Sequence, residues 1–302
     1  MPYPARDLSN PVFTCGHSRL AVGTPLLAGS AEESIFPRLT DTKQIGAFSV
    51  CRHGEWLLGQ AQTPLSPDLE AATQLLYKDL LTASAGYSLC RIWNYLPAIN
   101  KSGTHGEENY RLFCLARSQA IESVLGLNFP QNLPAASAVG TDNNSLSVLF
   151  AAHSGRTCHF ENPEQVPAYY YPPEHGPRSP SFARATVLTS LDSKTIFISG
   201  TASIKGHKTS FPNDTSAQLD CTLDNLRLIS ATCGLGNNLA AEYAIERHFK
   251  VYLRHAADLD FVQSNLVRTL LLPSDQVSYL RSDICRADLT LEIEASIFTP
   301  LT

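Results

Sequence analysis

The stretch Tyr279–Ala295, YLRSDICRADLTLEIEA, decides how the rest of the chain is interpreted. Its second half, Leu289–Ala295, alternates apolar residues with polar or acidic ones at the period of a β-strand. Glu292 and Glu294 therefore fall on one face of that strand. Residues 286–288 can form a tight turn between the two halves, so the stretch predicts a hairpin of two extended segments.

This hairpin would gather three reactive groups on one face of a sheet. With residues 287 and 288 at the turn, Glu292 lies opposite Asp283, and Cys285 is one diagonal step away, within about 7–8 Å. Arg281 points to the same side. The carboxylate, the thiol and the guanidinium form a candidate reaction centre. Two alternatives stay open: an edge strand that shows its charges to water, and a turn one residue longer that moves Cys285 to the other face.

Length and composition limit the classes of function. The chain has 302 residues, of which 43% are hydrophobic and 17% charged, enough for two ordinary domains or one large one. A net charge of -5 argues against nucleic acid or an anionic membrane as a partner. The apolar runs are too short to span a bilayer, and the eight cysteines are scattered without CxxC spacing. We expect a cytoplasmic protein with reduced thiols.

After an irregular segment over residues 1–45, within which Arg19–Val22 can form a strand, the chain shows the same order of elements twice. The first half predicts two strands within Ile45–Gln60, a helix over Ser66–Ser84, a strand over Tyr87–Leu96, a helix over Glu107–Gly126 and a strand over Leu146–Ala152. The second half predicts strands over Ala183–Val187 and Thr195–Gly200, a helix over Thr215–Cys233, a strand over Lys250–His255, a helix over Leu259–Leu271 and the closing hairpin.

The two halves align as divergent copies of one unit. The segment EWLLG aligns with IFISG, which places Gly59 on Gly200. LSVLFAA aligns with LTLEIEA, which places Leu149 on Glu292. We therefore predict an N-terminal lobe over residues 1–155 without a catalytic glutamate, a C-terminal lobe over residues 156–302 with one, and a single active site per chain. The alternative is that any two halves built from a sheet and helices align this well.

Each half resembles the small unit of the RidA (YjgF) family, in which a strand ending in SG precedes a helix that carries a glutamine. Here those pieces are Gly200 with the preceding serine, Gln218, and the closing LEIEA. The resemblance implies an α/β (α+β) fold of two RidA/YjgF-like sheet-plus-helix lobes with an irregular N-terminal segment. Arg281 falls where that family keeps a substrate-binding arginine.

A more specific resemblance covers nearly the whole chain. The blocks RIWNYLPAIN, ENYRLFCLARSQA, PAYYYPPEHGPRSPSFARA and SGTASIKGH, followed by the closing stretch, resemble the chorismatase family, whose members cleave chorismate into pyruvate and a cyclic acid. The resemblance implies Glu292 as the catalytic acid, and Cys285 as the residue that goes with hydroxybenzoate formation. It implies substrate binding by Tyr110, Arg117, Tyr171, Arg184, Gly200 and Ala202.

The residue types suit this substrate. Chorismate carries two carboxylates, and the planar guanidinium of arginine binds a carboxylate through two hydrogen bonds. Cleavage of its enol ether needs an acid that protonates the terminal methylene, and a carboxylic acid with a raised pKa can do this near neutral pH. We expect pyruvate and 3-hydroxybenzoate, with some 4-hydroxybenzoate. Open alternatives are hydrolysis to a dihydroxycyclohexadiene carboxylate, a RidA-like enamine or imine hydrolase, and a non-catalytic binding module.

No cofactor is expected, and no metal. The nine histidines show no HExxH motif or paired ligand spacing. The oligomeric state is left undetermined by the sequence.

Overall fold

The computed structural model describes residues 12–15, 18–31, 42–65, 68–103, 106–127, 129–191 and 193–301. The first of these form three short strands, β1 (Val12–Cys15), β2 (Ser18–Ala21) and β3 (Leu26–Gly29). β1 and β2 pair with each other in a sheet of two strands. The strand expected near residue 19 is therefore present.

The first lobe is a sheet of six strands with two helices. Its strands are β4 (Thr42–Ile45), β5 (Phe48–His53), β6 (Trp56–Pro64), β7 (Ser88–Pro97), β8 (Ala135–Thr141) and β9 (Ser145–His153), in the order β4-β5-β6-β9-β7-β8. The helices are α1 (Leu69–Ala83) and α2 (Asn109–Leu125). Asp68 caps α1 by accepting a hydrogen bond from the Ala71 backbone N–H.

The second lobe is built from a sheet of seven strands, in the order β10-β11-β12-β17-β15-β16-β3. Its own strands are β10 (Thr157–Phe160), β11 (Ala185–Thr189), β12 (Ser193–Thr201), β15 (Glu246–Leu253), β16 (Gln276–Arg281) and β17 (Leu291–Pro300). Strands β13 (Ile204–Lys205) and β14 (Lys208–Thr209) pair separately. The helices are α3 (Thr215–Thr232) and α4 (Leu259–Thr269).

The sheet topology confirms the internal repeat. The order β5-β6-β9-β7-β8 in the first lobe is the order β11-β12-β17-β15-β16 in the second. In each lobe the pair β7–β8 or β15–β16 is parallel, and a helix lies between its two strands in sequence. The expected α/β class with two sheet-plus-helix lobes is confirmed. The sequence did not predict β8, which is made of small residues (AASAVGT).

The prediction that the chain closes with a hairpin was wrong. β15 lies between β16 and β17, parallel to the first and antiparallel to the second. Glu292 therefore pairs with Tyr252 and not with Asp283. The expected turn exists, since the Leu289 N–H donates to the Arg286 carbonyl, but it belongs to the connection between two strands that do not touch. An alternating pattern defines the faces of a strand and leaves its partner open.

The lobe boundaries of residues 1–155 and 156–302 stay a prediction. Strand β10, which opens the second sheet, begins at Thr157. Strand β3, from the start of the chain, also joins the second sheet, by pairing with β16.

Each sheet buries one face under its own helices, and its other face is turned toward the sheet of the other lobe. Phe150 and Ile293 pack into the cores beneath the helices. Their strand neighbours Leu149 and Glu292 point the opposite way, and Leu149 packs with Tyr252 in a shared core between the sheets. The Ala136 N–H donates to the Ser199 hydroxyl at 2.9 Å and ties β8 to β12.

Two further expectations concern the state of the thiols and the presence of membrane-spanning segments. Six cysteines of the described residues are free, but Cys51 is disulfide-bonded, so the prediction of reduced thiols throughout was wrong. Within the described ranges, no helix is long and apolar enough to cross a membrane.

Candidate active site

A cavity of about 510 Å³ lies between the lobes. Helix α2 and strand β8 line it from the first lobe, and β12, β17 and the loop 285–289 line it from the second. The cavity walls include eight of the nine residues expected at the site, namely Tyr110, Arg117, Tyr171, Arg184, Gly200, Ala202, Cys285 and Glu292. The internal repeat thus builds one site within one chain.

Glu292 is the buried acid of this cavity. Its side chain is 3% exposed, and its Oε1 atom has no hydrogen-bond partner in the part of the chain that the structure describes. Burial, and next the charge of Glu294, raise the pKa of Glu292 to about 8. The carboxyl group is therefore protonated at neutral pH and can donate its proton.

Gly200 makes the room that this carboxyl group occupies. A Cβ atom at position 200 would lie 2.0 Å from Glu292 Oε1, which is far inside van der Waals contact. The pairing of β12 with β17 shifts register between Ile198 and Thr201, the stretch that contains Gly200. Any side chain at position 200 would displace the acid.

Glu294, two residues along the same face, is held as an ion. Its carboxylate accepts hydrogen bonds from Arg91 Nη2 at 2.5 Å, Trp93 Nε1 at 2.8 Å and Lys250 Nζ at 3.1 Å. Burial alone would raise the pKa of Glu294, but the charges of Arg91 and Lys250 outweigh it and lower that pKa. Arg91 and Trp93 come from β7, so the first lobe supplies two of the three donors, and Lys250 comes from β15 of the second lobe.

Arg117 is a buried cation on α2. Its side chain is 2% exposed, and its Nε and Nη2 atoms have no hydrogen-bond partner among the described residues. The guanidinium carbon lies 5.2 Å from the ring centre of Tyr77 and 5.9 Å from that of Phe113. These rings hold the cation without neutralising it. A buried charge without a partner is costly, so this position is suited to an anionic ligand.

Arg184 faces the cavity beside Tyr171. Its Nη2 donates to the Tyr171 hydroxyl at 2.7 Å, and its guanidinium lies 5.0 Å from the ring centre of Phe182. The Nε atom is 3.9 Å from Glu161, too far for a hydrogen bond. Burial raises the pKa of Glu161 to about 7, although the charge of Arg184 lowers it. Arg184 is thus only weakly paired.

Cys285 and Tyr110 are neutral groups. Burial, and next the charge of Glu292, raise the pKa of the Cys285 thiol to about 12. Burial also raises the pKa of Tyr110 well above its usual value. These effects keep the proton on the thiol, so Cys285 can act as a weak hydrogen-bond donor and cannot act as a base.

The structure does not bring Arg281 to the cavity. Its Nη1 donates to Asp142 at 2.7 Å on an exposed surface, because the end of β16 points away from the site. Sequence reasoning instead missed Arg286, which it treated as a turn residue. Arg286 lines the cavity, lies 5.4 Å from the Tyr171 ring centre and donates to Thr209. Only its place next to Cys285 could have pointed to it.

Gln218, which is buried, and Arg254, which is partly buried, fix the loop that carries Cys285. Gln218 donates to the Asp288 carbonyl at 2.7 Å and accepts from the Thr290 N–H at 2.8 Å. Arg254 donates to the carbonyls of Leu289 at 2.7 Å and Arg286 at 2.9 Å. The glutamine expected from the repeated motif therefore shapes the site through the backbone.

A neutral buried acid beside arginines that lack full partners defines an enzyme site for a small anionic substrate. Residues 36–152 match the family model described as "Chorismatase FkbO/Hyg5-like, N-terminal". A 3-hydroxybenzoate synthase from Streptomyces hygroscopicus is 34% identical, over 95% of this chain and 87% of that protein. A chorismatase from the same organism is 36% identical, over 82% of this chain and 73% of that protein.

Solved structures agree with this similarity. A chorismatase crystal structure superimposes with a TM-score of 0.78 at 33% identity and covers 86% of this chain and 80% of that one. The chain belongs to the chorismatase family.

Proposed function

We propose that this protein cleaves chorismate to pyruvate and 3-hydroxybenzoate, with some 4-hydroxybenzoate. The observation that carries the proposal is Glu292, a buried carboxyl group with a pKa of about 8 in a cavity that also holds Arg117 and Arg184. The relatives are named chorismatase and 3-hydroxybenzoate synthase, which supports the same reaction here.

The guanidinium groups of Arg117 and Arg184 bind the substrate. The substrate has one carboxylate on the ring and one on the enolpyruvyl arm. Arg117 has two buried nitrogen atoms without a hydrogen-bond partner among the described residues, and Arg184 keeps its Nε free of a hydrogen bond, so each can bind one carboxylate. The hydroxyls of Tyr110 and Tyr171 can hydrogen-bond ligand oxygens without adding charge. Two fixed arginines hold the substrate in one orientation.

Protonation begins the reaction. The Glu292 carboxyl group donates its proton to the terminal methylene of the enol ether, and the double-bond electrons form the new C–H bond. This leaves an oxocarbenium at the pyruvyl carbon and a carboxylate on Glu292. The new carboxylate stabilises the cation. The charges of Arg91 and Arg184 favour ionised Glu292 and therefore ease the formation of this carboxylate.

Aromatisation completes the reaction. The bond from the ring carbon to the ether oxygen breaks, its electrons go to oxygen, and pyruvate is released. The oxygen of the neighbouring ring hydroxyl, in place of water, forms a bond to that ring carbon, and its bond to its original carbon then breaks. The hydroxyl group thus moves by one ring position for 3-hydroxybenzoate and stays in place for 4-hydroxybenzoate. Loss of one ring proton to the Glu292 carboxylate gives hydroxybenzoate and restores the acid, so no net water is consumed. We assign the Cys285 thiol to steering the ring intermediate through a weak hydrogen bond.

The test is direct. Purified protein is incubated with chorismate, and the products are identified by mass and by comparison with standards of 3-hydroxybenzoate, 4-hydroxybenzoate and the dihydroxycyclohexadiene carboxylate. Hydroxybenzoate and pyruvate in equal amounts support the proposal. The diene acid alone would mean the hydrolytic reaction. Intact chorismate would leave a RidA-like hydrolase or a binding module.

We also propose that the protein acts in the cytoplasm, on chorismate as its small-molecule partner, and without a cofactor or a nucleic-acid or membrane partner. The six free thiols support a reducing compartment, whereas the bonded Cys51 counts against one. Fractionation of the source cells, with an antibody to the protein, tests the location.

A further inference from the structure

Three metal-ligating side chains meet at the opening of the cavity, although the sequence predicted no metal site. Glu174 and His175 line the cavity, and His207 comes from the segment between β13 and β14. His175 Nε2 lies 2.9 Å from His207 Nδ1. Glu174 Oε1 lies 3.6 Å from the first of these nitrogen atoms and 3.3 Å from the second.

These separations match one face of a zinc coordination sphere. Zinc binds nitrogen and oxygen at about 2.0–2.1 Å, so two ligands of a tetrahedral ion are about 3.3–3.4 Å apart. The three measured distances of 2.9, 3.3 and 3.6 Å lie around that value. A point about 2 Å from all three atoms exists, which is the bonding distance. Two imidazoles and one carboxylate also form a common zinc ligand set.

The cluster is also accessible from solvent. The side chains of His175 and His207 are 19% and 25% exposed, so an ion can reach them from solvent. The positive charges of Arg286 and Arg111 near His175 repel a bound cation. We expect weaker binding than at structural zinc sites with four protein ligands.

We propose that Glu174, His175 and His207 bind one divalent ion of the zinc class, and that the bound ion inhibits the enzyme. Inhibition follows because two of the ligands line the cavity, so the ion lies where the substrate enters. Only this second half rests on the proposed function. The binding half is independent of what the cavity turns over.

The binding experiment uses the full chain without an affinity tag, titrated with zinc chloride against a chromophoric zinc indicator. We expect one equivalent to bind. His207→Ala should lose at least about tenfold in affinity, the loss that even an outer partner of a ligand can cause. His53→Ala, an exposed histidine elsewhere, and Cys158→Ser, an exposed thiol, should bind as the wild type does. No binding, or equal binding by His207→Ala, would overturn the site.

The inhibition experiment measures pyruvate release from chorismate over the same zinc concentrations. Zinc should inhibit the wild type, a chelator should restore it, and His207→Ala should work normally with or without zinc. Equal inhibition of both proteins, or none of either while zinc is bound, would overturn the inhibitory role. If chorismate is not a substrate at all, the indicator titration still decides whether the site exists.

Discussion

Glu292 and Glu294 leave β17 on the same face, yet the pKa values of their carboxyl groups are shifted in opposite directions. Glu292 keeps an oxygen without a hydrogen-bond partner among the described residues, while Glu294 is bound by Arg91, Trp93 and Lys250. Two carboxyl groups whose environments separate their pKa values are typical of an acid–base site. Ionised Glu294 helps to keep its neighbour protonated.

Replacing Glu292 with Gln keeps the shape of the side chain and removes the acid. We expect turnover to fall by about two to four orders of magnitude, the usual contribution of general acid–base catalysis. Chorismate should still bind, because the arginines are unchanged. Stopped assays for pyruvate and calorimetric titration with chorismate measure the two effects. Near-normal turnover would contradict the role of Glu292 as the acid.

The pH dependence of turnover follows from the same group. The protonated form of Glu292 is the active one, and its pKa of about 8 is that of the protein without substrate, so kcat/KM should decline as the pH rises through about 8. The charge of Glu294 raises the pKa of Glu292, and removing it leaves Arg91 and Arg184 to favour the ionised form. Glu294→Gln should therefore move the alkaline decline to lower pH.

A decline that stays at the same pH in Glu294→Gln would contradict this coupling. The variant should also unfold at lower temperature, because it leaves buried cations without their partner. Its circular dichroism spectrum is the check that it is folded when kcat/KM is measured.

The two arginines should affect binding most. Truncating either to Ala should cost about 2–5 kcal/mol of binding free energy, because a carboxylate is left without its partner in a desolvated site. Lysine should restore little, since it lacks the planar fork. Calorimetry with chorismate and measurements of kcat/KM give the values. Wild-type efficiency of Arg184→Lys would exclude binding through two parallel hydrogen bonds.

Arg117 offers a separate test through stability. Its buried guanidinium has two nitrogen atoms without a hydrogen-bond partner in the described part of the chain, so it should not stabilise the empty protein. Arg117→Met keeps the packing against Tyr77 and Phe113 and should leave the free energy of unfolding equal or higher, while chorismate binding is lost. Urea unfolding measures the first quantity. A clear loss of stability would mean that this arginine is structural.

The product ratio tests Cys285. Cys285→Ala should move the products from 3-hydroxybenzoate toward the diene acid, while pyruvate is still released, because water then competes with the ring hydroxyl. Cys158→Ala, which changes an exposed thiol, is the control. Chromatography with mass detection quantifies both acids. If the ratio is the same in all three proteins, the thiol only packs in the wall of the cavity.

The sequence by itself determined the local features of this protein. Alternation along Leu289–Ala295 placed Glu292 and Glu294 on one face, because successive side chains of a strand point to opposite sides. The apolar stripes located the helices to within a few residues, and the repeated order of elements predicted two lobes and one acid. The substrate-binding residues on α2 came from a family resemblance carried by a motif.

The tertiary structure alone decided which of these features meet. β15 lies between β16 and β17. The sequence could not predict this order, because backbone hydrogen-bonding groups are the same at every residue and do not identify a partner strand. Arg91 and Glu294 are 203 positions apart, and the two histidines at the cavity opening are 32 apart. The contact of Arg91 with Glu294 arises only when the two sheets pack face to face, so no local pattern predicts it or the place of Arg286 in the cavity wall.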